Sequence, residues 1–300
     1  MASILVRFVA IGVRYYTDPG CSWSWSAEPS MRRLMVEFGD DLRWTYVMGG
    51  LARDYGGAHD DPDLGAGDYS DIYLRLMRHW LDVADEGRMP IDPRLWSEAP
   101  ITSTYPACMA VKAAAEQATD RGHAYLRALR EGLMCFRRKL DTPQALTEEA
   151  RSIGLDVHRF RISLGSSATV EAFGADLDAT RAVPQAARDQ GKVRSIEGGE
   201  RLAFPSLEFV AEDGARHGVY GYRPYGAYVA AATAAGARPS GAPRPSVLEA
   251  LERFGRMGLP EVEAVCGLPG PVAAAELWKL AASWQAKPVR VLTDHLWEPA

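Results

Sequence analysis

A chain of 300 residues with 47% hydrophobic and 24% charged residues can bury a sizeable core, which excludes a disordered chain and leaves one large domain or two to three small ones. Its formal charge of −5 and its pI near 5.8 exclude any general attraction to phosphate backbones or anionic lipid. Four widely spaced cysteines, Cys21, Cys108, Cys135 and Cys266, form neither a disulfide framework nor a zinc motif, so each starts as a small buried hydrophobe.

The opening "MASILVRFVAIGVRYY" carries Arg7 and Arg14 within its apolar stretch and has neither a basic start nor a small-residue cleavage site, so residues 6–16 read as a strand and not as a signal peptide. No window reaches the ~18 uncharged apolar residues of a membrane span. Mean hydropathy is −0.19, and the expected compartment is the cytoplasm. "TDPG" then supplies turn chemistry before a run with helical spacing through Trp25, Met31, Leu34, Met35 and Phe38. "DLRWTYVMGGL" is a second strand closed by Gly49 and Gly50, completing a βαβ unit with parallel strands.

From residue 61 to 188 the pattern is helical throughout, including one long run from "STYPAC" to "CFRRKL". Thr142 with Pro143 suits a helix start, and Gly154 suits a stop. Strand character returns in "ERLAFPSLEFVAEDGARHGVYGY", with "EDG" as a hairpin turn, and a helix follows in "PYGAYVAAATAAG". "ARPSGAPRPS" is a linker by composition. The tail after it predicts three helices and two short β segments, a winged-helix-like module. Five basic against seven acidic residues leave residues 246–300 at −2, and the third helix carries only Lys279, so nucleic acid is not an expected partner. Packing on the main domain or on a partner subunit is the expected role.

Cys21 falls at the junction of the first turn and helix. Exposed backbone N–H groups and the positive end of a helix dipole favour thiolate there, which predicts a pKa below the ordinary ~8.5.

"YYTDPGCSWSWSAEPSMRRL", followed in order by "GGL", "GRMPIDPRLW" with "STYPACMAVKAA", and "FPSLEF", resembles the DsbA family of thioredoxin-fold proteins over residues 6–236. The resemblance implies an α/β, thioredoxin-like fold with a large helical insertion: 1–60 first half, 61–188 insertion, 189–236 second half, 237–245 linker and 246–300 winged-helix-like module. It also implies that Cys21 is the nucleophile and that Pro205, after Phe204, is a cis-proline whose preceding backbone docks an extended substrate. Many members have C-x-x-C; here Ser24 holds the second place and cannot resolve a mixed disulfide, although its hydroxyl can support a thiolate.

The expectation is therefore a monothiol thiol–disulfide oxidoreductase or thiol transferase in which Cys21 exchanges with a small thiol such as glutathione or mycothiol, with no tightly bound cofactor and no metal. Trp23, on the first helical turn, is a candidate substrate platform, whereas Trp25 follows the core stripe. Tyr105 faces either the site or the core, Cys108 reads as packing with a redox role open if it lies within disulfide reach of Cys21, and His79 reads as a surface or hydrogen-bonded residue. Two other readings stand beside this one. One is a kappa-class glutathione transferase or isomerase, suggested by Ser24. The other is an adaptor that delivers partners to a protease, with the tail as docking module or dimer contact; no membrane partner is expected.

Overall fold

A computed structural model describes residues 10–55, 72–196 and 198–300; the beginnings of the expected first strand and of the expected insertion lie outside these residues. The first strand described, β1 (Ile11–Thr17), buries Val13 and Tyr15 fully and runs into the Asp18-Pro19-Gly20 turn. The single helix expected next is two, α1 (Ser22–Ser26) and α2 (Glu28–Phe38). Pro29 accounts for the break at Ala27, because it has no N–H to donate backwards and its ring crowds the preceding turn. Met31, Leu34 and Phe38 then face the core from one side of α2. Strand β2 (Leu42–Met48) returns parallel to β1.

Eight helices follow among the described residues: α3 (Ile72–Gly87), α4 (Leu95–Glu98), α5 (Tyr105–Ala115), α6 (Thr119–Met134), α7 (Pro143–Ser152), α8 (Val157–Leu164), α9 (Ser167–Arg181) and α10 (Gln185–Asp189). The long helical run of the sequence is broken between α5 and α6. The Thr142 hydroxyl accepts the Ala145 N–H and caps α7, and Asp156 caps α8 in the same way.

A hairpin that the sequence reading did not separate comes next, β3 (Val193–Ile196) against β4 (Gly199–Leu202). What reads as one strand from Glu200 onward is interrupted at Ala203–Pro205, and β5 (Ser206–Val210) and β6 (Arg216–Tyr220) form a second hairpin, followed by α11 (Tyr225–Ala234). The main sheet has the order β2-β1-β5-β6, with β5 antiparallel to β1. It is a thioredoxin-like sheet whose two halves are separated in sequence by the helical block.

The remainder is α12 (Val247–Phe254), β7 (Met257–Gly258), α13 (Leu259–Cys266), α14 (Gly270–Ala282), β8 (Ala286–Val291) and β9 (Asp294–Pro299), with β7-β9-β8 as a three-stranded sheet. The Pro/Gly-rich segment before α12 is tied down: Ser240 donates to the Glu37 carbonyl, Arg238 N–H to Asp41, and the Arg244 guanidinium to Glu37. The C-terminal module meets the rest through a buried ionic seam. Glu261, fully buried at the start of α13, accepts both Arg127 (2.8 and 3.0 Å) and Arg32 (3.0 Å). Arg127 also binds Glu131, and Arg130 joins Glu28 to the Thr17 hydroxyl at the end of β1.

Candidate active site

Asp18 organises the turn that delivers the thiol. Its buried carboxylate accepts the Gly20 N–H (2.7 Å), the Leu51 N–H (2.6 Å), the Thr104 hydroxyl (2.9 Å) and the Cys108 thiol (3.2 Å). The turn after β1, the loop after β2 and the start of α5 are thereby pinned to one group. Burial and the adjacent Asp18 charge push the Cys108 thiol well above its ordinary value, so it serves as a protonated donor. Burial raises the Asp18 carboxyl in turn, against the pull of its own donors.

Cys21 is the N-cap of α1, and its Sγ accepts the Ser24 N–H at 3.4 Å. The expected lowering of its pKa does not occur. Only 5% of the residue is exposed, and burial pushes the thiol up; the Ser24 hydroxyl and N–H oppose this, Asp18 adds to it, and Arg130 opposes it weakly. The physical reason is that α1 is five residues long and supplies little dipole, while Cys21 is buried in one apolar cluster with Tyr16, Val47, Phe204 and Tyr220. Ser24 is fully buried, and its hydroxyl makes no hydrogen bond of ordinary geometry.

One side of the thiol opens on a small pocket of about 60 Å³, room for one end of a small thiol or disulfide rather than for a whole cofactor. Cys21, Trp23, Phe204, His79, Arg194 and Arg201 are among its walls. Trp23 is held between Tyr222 (ring centroids 5.2 Å) and His79 (6.2 Å), and the His79 ring lies 3.3 Å from the Ser22 hydroxyl. The far end of the Phe204 ring sits against Gly49, where a Cβ would come within 2.0 Å of it, so glycine at the end of β2 is what lets this wall form. The Phe204–Pro205 peptide is cis, and Pro205 is buried at the entry to β5.

Of the residues singled out in the sequence, the structure therefore brings Cys21, Ser24, Trp23 and Phe204 together. Tyr105 is not among the pocket's walls: it packs edge-on against Phe173 at 5.1 Å, next to Gly50. Trp25 is wholly buried, with its indole N–H on the Pro90 carbonyl. His79 is a pocket residue, which a histidine on a mixed helix face does not announce. Arg194 and Arg201 were not anticipated at all, although "VRSIEGGERL" does carry a signal for them: two short alternating runs around Gly198 and Gly199, both at positive φ.

The family model described as thioredoxin matches residues 15–184, more than half of the chain. The ClpXP adapter proteins SpxH of Halalkalibacterium halodurans and Bacillus subtilis are 31% and 26% identical over 168 and 164 residues, which is 55% and 54% of this chain and 53% and 51% of theirs. The chain thus spans about half the length of the curated relatives it matches. A candidate protein disulfide isomerase from Nitrosomonas europaea superimposes with a TM-score of 0.58 at 18% identity, over 75% of this chain and 97% of that one. The cytosolic disulfide reductase DsbM of Pseudomonas aeruginosa gives 0.50 at 18%, over 75% and 94%. At these identities the likeness establishes the shared fold.

Proposed function

The chain belongs to the thioredoxin family, and on that premise we propose that it is a cytoplasmic, DsbA-like monothiol exchange enzyme, with Cys21 as nucleophile and Ser24 in the place of a resolving thiol. One observation carries the reading: Cys21 Sγ, capped by the Ser24 N–H, forms a wall of the small pocket beside Trp23 and Phe204. The step balances simply. The Cys21 thiolate attacks one sulfur of a disulfide, the new S–S bond forms as the old one breaks, and the departing half leaves as thiolate and takes up the proton lost from Cys21. A second small thiol then releases Cys21 by the same reaction, leaving as half of a new disulfide.

Because burial holds the thiol protonated, exchange quickens as pH rises above neutrality instead of levelling off below it. Incubation with a neutral small disulfide, followed by mass spectrometry, is expected to place a single adduct on Cys21 that free thiol removes. An adduct absent from Cys21, or one that thiol does not release, overturns the reading.

A second reading, as an adaptor that brings a partner to a ClpXP-type protease, is favoured by the curated relatives and by the enclosure of the thiol. It expects Cys21→Ser to leave partner capture intact, whereas thiol exchange expects the same substitution to abolish adduct formation.

A further inference from the structure

The thiol pocket has a neighbour. A cleft of about 350 Å³ lies between the end of α3, the start of α2 and the C-terminal module, with Ser30, Glu86, Arg88, Tyr222, Pro260 and Glu263 among its walls. Two helices lead from one cavity to the other. Ser22 and Ser26, the two ends of α1, line the pocket and the cleft respectively, and so do His79 and Glu86 on α3. His79 and Glu86 are nearly two helical turns apart, which puts them on one face of α3 at a separation of about 10 Å. The ground between is aromatic: Trp23, a wall of the pocket, meets Tyr222, a wall of the cleft, at 5.2 Å between ring centroids, and both residues are half-buried.

The cleft is held in place and charged. Gly87 packs so closely on Ser26 that a Cβ would lie 2.2 Å from its hydroxyl oxygen, which seats the end of α3 on the end of α1. Arg88 binds the Glu263 carboxylate of α13 through both guanidinium nitrogens (2.8 and 2.7 Å) and so fastens the C-terminal module to the same corner. Two carboxylates therefore face one guanidinium: Glu263 is matched by Arg88, and exposed Glu86 has no ion-pair partner among the described residues. Burial, and then the Glu86 charge, raise the pKa of the Tyr222 hydroxyl, so the carboxylate is felt at the aromatic bridge.

From this arrangement we propose that the cleft is a polypeptide-docking groove, in which an extended segment whose cysteine exchanges at Cys21 crosses Trp23 and Tyr222 and sets a lysine or arginine against Glu86. The inference rests on the exchange reading above and adds the substrate's class, a peptide or protein disulfide with a basic residue near its cysteine. The thiol pocket, at about 60 Å³, holds little beyond the sulfur and its neighbouring atoms, so the rest of a peptide lies outside it. An extended chain advances about 3.3–3.6 Å per residue, so the basic residue falls about three positions from the cysteine. The C-terminal module then supplies one wall of the groove, through Pro260 and Glu263.

The test uses symmetrical disulfides of short blocked peptides, each with one cysteine in a glycine background and Lys, Gln or Glu three residues before it or three residues after it. Attack by Cys21 breaks the S–S bond, keeps one peptide as a mixed disulfide and releases the other as a thiol with the proton lost from Cys21. The rate of adduct formation, read by mass spectrometry, is divided by the same probe's rate with a free cysteine peptide, which removes intrinsic reactivity. In one of the two placements the expected order is Lys, Gln, Glu, with Lys about threefold over Gln. Glu86→Gln should abolish that preference, whereas Asp82→Asn, which removes a carboxylate of α3 outside the cleft, should leave it. Equal normalised rates for all probes, a preference that survives Glu86→Gln, or one that Asp82→Asn removes equally overturns the groove. Adducts with hydroxyethyl disulfide but with no peptide also overturn it, and each of these results leaves exchange at Cys21 standing. Adducts with neither overturn the exchange reading and this one with it.

Discussion

The arginines of the ionic seam and the arginines of the pocket serve different parts of the fold. Arg32, Arg127 and Arg130 are each matched by carboxylates of the same chain, Glu28, Glu131 and Glu261, contributed by α2, α6 and α13. Arg194 and Arg201 stand beside an aromatic ring, main-chain carbonyls and a thiol. Charges matched within the chain hold the C-terminal module against the thioredoxin sheet and helical block, whereas Arg194 and Arg201 line the pocket beside Cys21.

The sharpest way to break this comparison is at the thiol. Cys21→Ser is expected to abolish adduct formation completely, read by mass spectrometry, while changing stability by no more than about 1 kcal/mol. At the seam, Glu261→Ala removes the buried carboxylate that Arg32 and Arg127 share, leaving them Glu28 and Glu131, and is expected to cost about 3 kcal/mol in denaturant unfolding. Arg194→Ala, on the half-buried hairpin, should stay within about 0.5 kcal/mol by the same measurement; equal losses at the two positions would erase the distinction. Gly49→Ala drives a methyl group into the Phe204 ring and should cost about 1–3 kcal/mol while slowing adduct formation, because the wall beside Cys21 has to move.

The smallest effect is a pH dependence of the seam. Burial raises the Glu28 carboxyl, but Arg130, then Arg127 and Arg32, more than offset it, so the folded pKa lies below the ordinary value. A depressed folded pKa gives stability that is present above the unfolded value and lost as pH falls through the folded one. Melting temperatures measured through the acidic range should therefore fall more steeply in wild type than in Glu28→Gln, which has no such proton to take up.

Much of the frame was legible in the chain. Alternation and turn residues located β1, β2, β5 and β6; helical spacing marked the long block between the two halves of the sheet; and the turn before Cys21 located the thiol. What stayed hidden depends on long-range packing. The raised thiol pKa follows from burial in a cluster that includes Phe204 and Tyr220, which lie far along the sequence. The seam joins Arg127 to Glu261 across 134 positions, a pairing that no local pattern reveals. The β3–β4 hairpin was missed because four-residue strands carry too few alternations to stand out beside the stronger "FPSLEF" run, and the two pocket arginines were missed with it. Tyr105 was drawn away from the pocket by Phe173 on α9, a partner visible only in the fold.

The most direct measurement of the central claim is the oxidation state of Ser24→Cys. If Cys21 is an exchange nucleophile and position 24 is the place of a resolving thiol, this variant closes an internal disulfide with Cys21 and turns over a protein disulfide substrate that wild type only caps as a mixed disulfide. If both thiols of the variant stay reduced under oxidising conditions, or the variant turns over no faster than wild type, Cys21 is a packing residue and the exchange account is wrong.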